Sequence, residues 1–270
     1  MIDDETTERR PRRERGFDGP SKWLPKEEYI EDEVNPNEGL PFSRKWRIAV
    51  FGGSFDPVHL GHIKLARQVL EHDLADELIF VPAKHSPFKE MSQVDSGAMR
   101  LEMLNLAVGE ALKEQPTYKR KLQDGRMVEM EYRFGVSDLE LQRPGSCSYT
   151  YDTLMTLSRI YPDADLKFLM GTDCLNELMN WHEAGSLIQK FDFIIYPRPG
   201  FHAMSDVELI RTYKMYSGKL VRGRLSSTEF PVWDLSSTEV RRRIARHDDL
   251  SEYLSAPVWN YIQEHKLYQD

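Results

Sequence analysis

Two histidines, His59 and His62, bracket a glycine inside the string GGSFDPVHLGH, residues Gly52–His62. Residue types at this spacing suit phosphate binding. Gly52 and Gly53 carry no Cβ, so the backbone can approach a ligand closely. A segment with helical spacing follows, and the free N–H groups and dipole at a helix start favour an anion. Two imidazoles placed there can donate hydrogen bonds to phosphate oxygens. For an isolated H-x-G-H, a tight turn with two surface histidines would be explanation enough. The complete string, set between a strand and a helix, favours function. A metal site is the weaker rival, because His59 and His62 lie three apart with no third ligand of suitable type evident.

Other unusual clusters follow downstream. Pro82–Lys89 holds Lys89 and His85; by itself such a lysine reads as solvated. Gly171–Asp173 (GTD) carries an aspartate that could be a helix cap. Trp181 closes a polar, helix-like segment, where a lone tryptophan is usually core. Ser236–Arg241 (SSTEVR) is a good helix cap, and capping and phosphate binding use the same free N–H groups. Arg241 lies within about one turn of that cap, within reach of a triphosphate.

The elements that must position these residues can be read from periodicity. Trp46–Phe51 (WRIAVF) is a short apolar, β-rich run that predicts a buried strand. Ile63, Ala66, Val69 and Leu70 recur at helical spacing, predicting a helix over His62–His72, and Leu78–Val81 (LIFV) predicts the next strand. Strand, Gly-rich loop, helix and strand make a βαβ unit, with parallel strands and a right-handed crossover. Further helices are predicted at Ser96–Val108, Thr150–Ile160, Ala184–Gln189, from Ser236 onward and after Pro257. Further strands are predicted at Phe134–Glu140, Leu166–Met170, Phe193–Tyr196 and Val232–Leu235. Polar Lys113–Glu131 reads as an insertion or a hairpin. The pattern is an α/β fold: a doubly wound, Rossmann-like parallel sheet with a small helical C-terminal portion. In such sheets ligands bind beyond the C-terminal ends of the strands, and every cluster above falls at one of those ends.

Bulk properties narrow the function class. Hydrophobic residues make up 40% and aromatics 11% of the 270, which are globular values. A net charge of −8 argues against a generic grip on nucleic acid. The two cysteines, Cys147 and Cys174, fit no paired metal-ligand spacing and suit a reduced, cytoplasmic protein. No apolar run approaches a membrane span, and the charged N-terminus lacks the apolar segment of a secretory signal. Residues 1–44 alternate acidic and Arg-rich patches and are expected to form a charged, flexible extension ahead of a domain over 45–270.

The residues carry a family resemblance. GGSFDPVHLGH resembles the signature of the HxGH nucleotidyltransferase superfamily. SYTYDTL (148–154), GTDCLNELMNWHEAGSLI (171–188), RPG (198–200), LSSTEVRRRI (235–244) and PVWNYIQEHKLY (257–268) resemble, in order and approximate spacing, bacterial-type nicotinate-nucleotide adenylyltransferases. The resemblance implies transfer of AMP from ATP to nicotinate mononucleotide. It implies phosphate contacts from His59, His62, Lys89 and Arg241, and ATP contacts from Gly52, Gly53, Ser54, Phe55, Gly171, Asp173, Ser237 and Thr238. It places the mononucleotide on Tyr149, Thr150, Trp181 and Arg198, with the tryptophan stacked on the pyridine ring. Mg²⁺ is expected on the leaving phosphates, without a tight protein site. Nicotinamide mononucleotide or another phosphorylated acceptor is the alternative substrate, and a catalytically inactive nucleotide-binding regulator is the alternative class. Segments 113–131 and 202–228 are longer than the family pattern, and suit a cover over the site or a contact within a homo-oligomer.

Overall fold

The computed structural model describes residues 45–84, 96–121, 125–145, 147–175, 177–198 and 235–269, together with Gly200 and three short strand backbones between 215 and 227. The N-terminal extension, Lys89 and His85 lie outside the described residues.

The central strand β1 (Trp46–Gly53) shows why the sheet is covered on both sides. Ala49 and Phe51 point into one hydrophobic cluster, Ile48 and Val50 into the other, as the two-residue period of a strand requires. β2 (Glu77–Pro82) divides in the same way, with Leu78 and Phe80 on the first side and Ile79 and Val81 on the second. Between these strands runs α1 (Leu60–Glu71), whose Ile63, Ala66, Val69 and Leu70 are all buried. α2 (Gly97–Glu114) starts at Ser96, whose Oγ accepts from the Met99 N–H at 3.1 Å, and buries Met103, Leu104 and Ala107.

The polar segment after α2 is a β-hairpin, β3 (Thr117–Lys121) against β4 (Met127–Glu131). Its inward face carries Tyr118 and Arg120. Arg120 is buried, donating to the Tyr118 hydroxyl at 2.7 Å, the Ala75 carbonyl at 3.2 Å and Asp76 Oδ1 at 3.2 Å. Arg47 binds the same aspartate, so the hairpin is tied to the sheet by paired charges.

The segment expected as one strand over Phe134–Glu140 divides into β5 (Phe134–Val136) and a single turn, α3 (Leu139–Gln142). The Ser137 N–H makes a last bond to the Phe80 carbonyl at 2.8 Å, and the Gln142 N–H then reaches back to the Asp138 carbonyl at 3.0 Å, which turns the chain.

The second half of the main sheet follows with its helices: α4 (Thr150–Ile160), β6 (Ala164–Gly171), α5 (Thr172–Leu175), α6 (Ala184–Lys190) and β7 (Asp192–Tyr196). A two-stranded pair, β8 (Met215–Tyr216) with β9 (Lys219–Leu220), precedes β10 (Leu225–Ser227). The strand beside β7 is β10, in a stretch where no strand was expected; most of the expected strand Val232–Leu235 lies outside the described residues. Leu235 lies outside any strand, next to the helix cap at Ser236, and 232–234 fall outside the described residues. α7 (Ser237–Ala245) and α8 (Ala256–Glu264) complete the chain on the α1 side.

The main sheet runs β10–β7–β6–β1–β2–β5 with every pairing parallel. Strand order reverses between β1 and β6, which opens a crevice at their C-terminal ends. Phe51 pairs with Leu169, so Gly53 and Gly171 lie level with each other two residues further on, at that rim. Among the described residues no helix is long and apolar enough to cross a membrane.

Candidate active site at the switch point

β1 delivers the chain into the crevice through two close approaches. A Cβ on Gly52 would lie 3.2 Å from the Phe168 ring, and one on Gly53 would lie 3.1 Å from the Phe55 ring. Phe55 is buried and holds a left-handed φ of 47°, turning the loop back over the first core. The loop is pinned on several sides. The Gly53 carbonyl accepts from the Ala83 N–H at 2.8 Å, and the Ser54 carbonyl accepts from Arg100 Nη1 at 2.6 Å.

His59 is the N-cap of α1 and is only 5% exposed. Its ring stacks on that of His62 with centroids 3.7 Å apart and planes 26° from parallel. The Phe55 ring meets His62 edge-on at 5.0 Å. The His59 N–H donates to His62 Nδ1 at 3.1 Å, so in the neutral ring the proton sits on Nε2, which is then the ring's donor. Two amides of the first turn are already engaged: Leu60 N–H with the Tyr253 carbonyl at 2.8 Å and His62 N–H with the His59 carbonyl at 2.9 Å. The imidazoles thus carry more of the donor capacity here than a bare helix start would suggest.

Burial, reinforced by the positive charge of Arg198 and opposed by a backbone hydrogen bond, lowers the pKa of His59 from 6.5 to about 3. His59 is therefore a neutral imidazole. Its folded-state pKa lies below its unfolded value, so its contribution to stability is present above pH 6.5 and is lost as pH falls toward 3. In side-chain NMR the His59 ring is expected to stay neutral down to about pH 4. A midpoint near 6.5 for that ring would contradict the burial argument.

A second group comes from β6 and β7. A Cβ on Gly171 would collide with Asp173 Oδ1 and lie 2.7 Å from Arg198 Cγ, so both side chains fold against that bare backbone. Asp173 Oδ2 is 3.5 Å from Arg198 Nε, while its Oδ1 is buried with no hydrogen-bond partner among the described residues. The Arg198 N–H donates to Thr172 Oγ1 at 3.0 Å. Arg198, expected on the mononucleotide, thus lies beside the G-x-D segment and close enough to His59 to depress its pKa.

A third group is the start of α7. Ser236 is the cap, its Oγ accepting from the Glu239 N–H at 3.2 Å. The Ser237 hydroxyl donates to the Pro57 carbonyl at 3.0 Å, and Arg241 Nη1 donates to the Asp56 carbonyl at 2.6 Å. Arg241 Nη2 reaches exposed Thr238 Oγ1 at 3.4 Å. Ser237 and Arg241 therefore fasten α7 to the same loop that carries the histidines.

The fourth group lies on the other side of Gly52. Phe168, beneath that glycine, meets Trp181 edge-on at 5.9 Å. Tyr149, the N-cap of α4, packs its ring against His182 at 4.5 Å, and Thr150 begins the helix. Under this helix start lies Glu140, buried, accepting from the Thr153 hydroxyl at 2.6 Å. Burial pushes the Glu140 carboxyl up, against the hydrogen bonds of Ser148 and Thr153 and the charges of Arg143 and Arg100.

Arg100, Asp56, Glu140 and Tyr268 support these groups. Sequence assigns none of them a role, although Asp56 and Tyr268 lie inside quoted motifs; only tertiary contact reveals their use.

A sequence model described as cytidylyltransferase-like matches residues 50–243, and the chain belongs to that family and is a nucleotidyltransferase. Its relatives are more specific. One from Symbiobacterium thermophilum is 34% identical over 222 residues, covering 82% of this chain and 95% of its own length. One from Exiguobacterium sibiricum is also 34% identical, covering 82% and 98%. Both are named probable nicotinate-nucleotide adenylyltransferase. Among solved structures, the Plasmodium falciparum nicotinic acid mononucleotide adenylyltransferase complexed with NaAD superposes with a TM-score of 0.61 at 20% identity, covering 83% of this chain and 97% of its own. At that identity it supports the fold.

Proposed function

We propose that the chain transfers AMP from ATP to nicotinate mononucleotide, releasing nicotinate adenine dinucleotide and pyrophosphate. One observation carries the reading: two stacked imidazoles stand at the crevice beside β1, in a loop to which Arg241 is also bound. A phosphate oxygen of the mononucleotide forms a bond to the α-phosphorus as the bond to the pyrophosphate oxygen breaks in line. That oxygen is already ionised at neutral pH, so no general base is needed. The protein must hold two anions together and stabilise charge that develops on the α-phosphate. His62 Nε2–H, neutral His59 and the guanidinium of Arg241 supply donors, with Lys89 assigned to the same task from sequence. Gly52, Gly53, Ser54 and Phe55 shape the wall against ATP. Gly171, Asp173, Ser237 and Thr238 flank its nucleoside and phosphates. Arg198, assigned to the mononucleotide from sequence, lies beside Asp173 and near His59.

On the acceptor side, Trp181 offers an indole face to an electron-poor pyridine. The start of α4, at Tyr149 and Thr150, offers backbone N–H groups to the nicotinate carboxylate. A carboxylate at a helix N-terminus favours nicotinate over the uncharged nicotinamide.

No three His, Cys, Asp or Glu side chains gather into a metal site among the described residues, and the donors at the loop suit phosphate oxygens. Mg²⁺ would be carried chiefly by the triphosphate and would neutralise the leaving pyrophosphate.

The test is pyrophosphate release from ATP with nicotinate or nicotinamide mononucleotide, the dinucleotide being identified by chromatography. Faster turnover with nicotinate mononucleotide is expected. Release with neither would remove the reading.

A further inference from the structure

The last residues of the chain turn back onto the loop that holds the histidines. After α8, Lys266 and then Tyr268 adopt left-handed φ values of 51° and 60°. Non-glycine residues enter that region at a cost and persist there only when surrounding contacts hold them. Leu267, between them, is buried in the core shared with α1. The turn aims the Tyr268 hydroxyl at Asp56, donating to Oδ1 at 2.5 Å. Asp56 is also the residue that receives Arg241: its carbonyl accepts from Nη1 at 2.6 Å, and its Oδ2 lies 3.8 Å from the same nitrogen. Burial and the neighbouring Asp56 carboxylate hold the Tyr268 hydroxyl well above the ordinary tyrosine range, so it remains a donor at neutral pH.

We propose that Tyr268 is a positioning residue for nucleotide binding, holding the Asp56 carboxylate so that Arg241 keeps its guanidinium directed at the triphosphate. The proposal rests on the AMP-transfer reading above. With Tyr268 bonded to Oδ1, the ion pair between the carboxylate and Arg241 is long, 3.8 Å from Oδ2 to Nη1. Without that bond the carboxylate can rotate to take the guanidinium with both oxygens, the geometry arginine favours, in competition with phosphate.

Calorimetric titration of ATP and pyrophosphate-release kinetics test this on the full chain. Tyr268→Phe retains the ring and is expected to weaken ATP binding about tenfold, with KM for the mononucleotide changed less than about twofold. In an Arg241→Ala background the same substitution is expected to change ATP affinity less than about twofold, because the residue through which it acts is gone. Unaltered ATP affinity in Tyr268→Phe overturns the proposal. So does an equal loss in both backgrounds, or a parallel loss for ATP and mononucleotide with a lowered melting temperature. A wild-type chain that binds ATP but releases no pyrophosphate defeats the AMP-transfer reading, while the ATP titrations still decide the role of Tyr268.

Discussion

Replacing His62 with alanine is expected to leave a folded protein whose turnover falls about 10²–10³-fold, the usual effect of removing one preorganised donor from a developing oxyanion. The ring is unusually well fixed. It stacks on His59 at 3.7 Å, meets Phe55 at 5.0 Å, and accepts the His59 N–H at 3.1 Å through Nδ1. Those contacts hold the Nε2 proton in one direction before substrate arrives, and preorganisation of this kind lowers the barrier without reorganisation at the moment of reaction. Alanine also removes the acceptor for the His59 amide, so some stability is lost. His62→Gln separates the two effects. Glutamine at the third position of a helix can still accept the N-cap amide, but it cannot present the same imidazole donor. A melting temperature near wild type with turnover still depressed is expected for glutamine. Wild-type pyrophosphate release by either folded variant would remove His62 from the mechanism.

The sequence made the central βαβ unit readable because local and tertiary demands agree there. Apolar β1, the glycines at its end and the helical spacing of Ile63, Ala66, Val69 and Leu70 each point to the same arrangement. The starts of α2 and α7 were readable for a similar reason: Ser96 and Ser236 cap them through their own side chains. Where tertiary contact decides, local pattern misleads. Glu140 lies on a helical turn, buried beneath α4 and bonded to Thr153, in a stretch whose apolar residues suggest one continuous strand. The edge strand LSS at 225–227 is short and has too little apolar character to announce itself. In the hairpin, Arg120 occupies an inward position only because Asp76 and Tyr118 receive it. The site divides along the same line. Residues that would face a ligand sit in compact motifs, whereas those that hold the motifs in place are scattered over α2, α3 and the C-terminus.

Arg100→Met is expected to show how much the site depends on that scattered support. Arg100 is 1% exposed on α2, among the largest fully buried side chains described. Its Nη1 donates to the Ser54 carbonyl at 2.6 Å and its Nη2 reaches the Lys84 carbonyl at 3.5 Å. One guanidinium thus ties together the loops that leave β1 and β2, the two walls nearest the histidines. Its charge also acts on Glu140 and on Tyr268. Methionine fills similar space but leaves the Ser54 carbonyl without this donor and the buried Glu140 carboxyl with less positive charge nearby. Breaking a buried polar network in this way costs about 3 kcal/mol or more, which for a domain of this size lowers the melting temperature by about 10 °C. The loss in kcat/KM should exceed the loss in folded fraction, because the freed loop no longer presents His59 and His62 in one fixed geometry. Arg100→Lys provides the control. Lysine restores a charge but not the fork that spans two carbonyls, so stability should recover further than activity does. Thermal unfolding combined with kinetics below each variant's melting range measures both quantities. If Arg100→Met matched wild type in both, the guanidinium would not be what holds the two loops together.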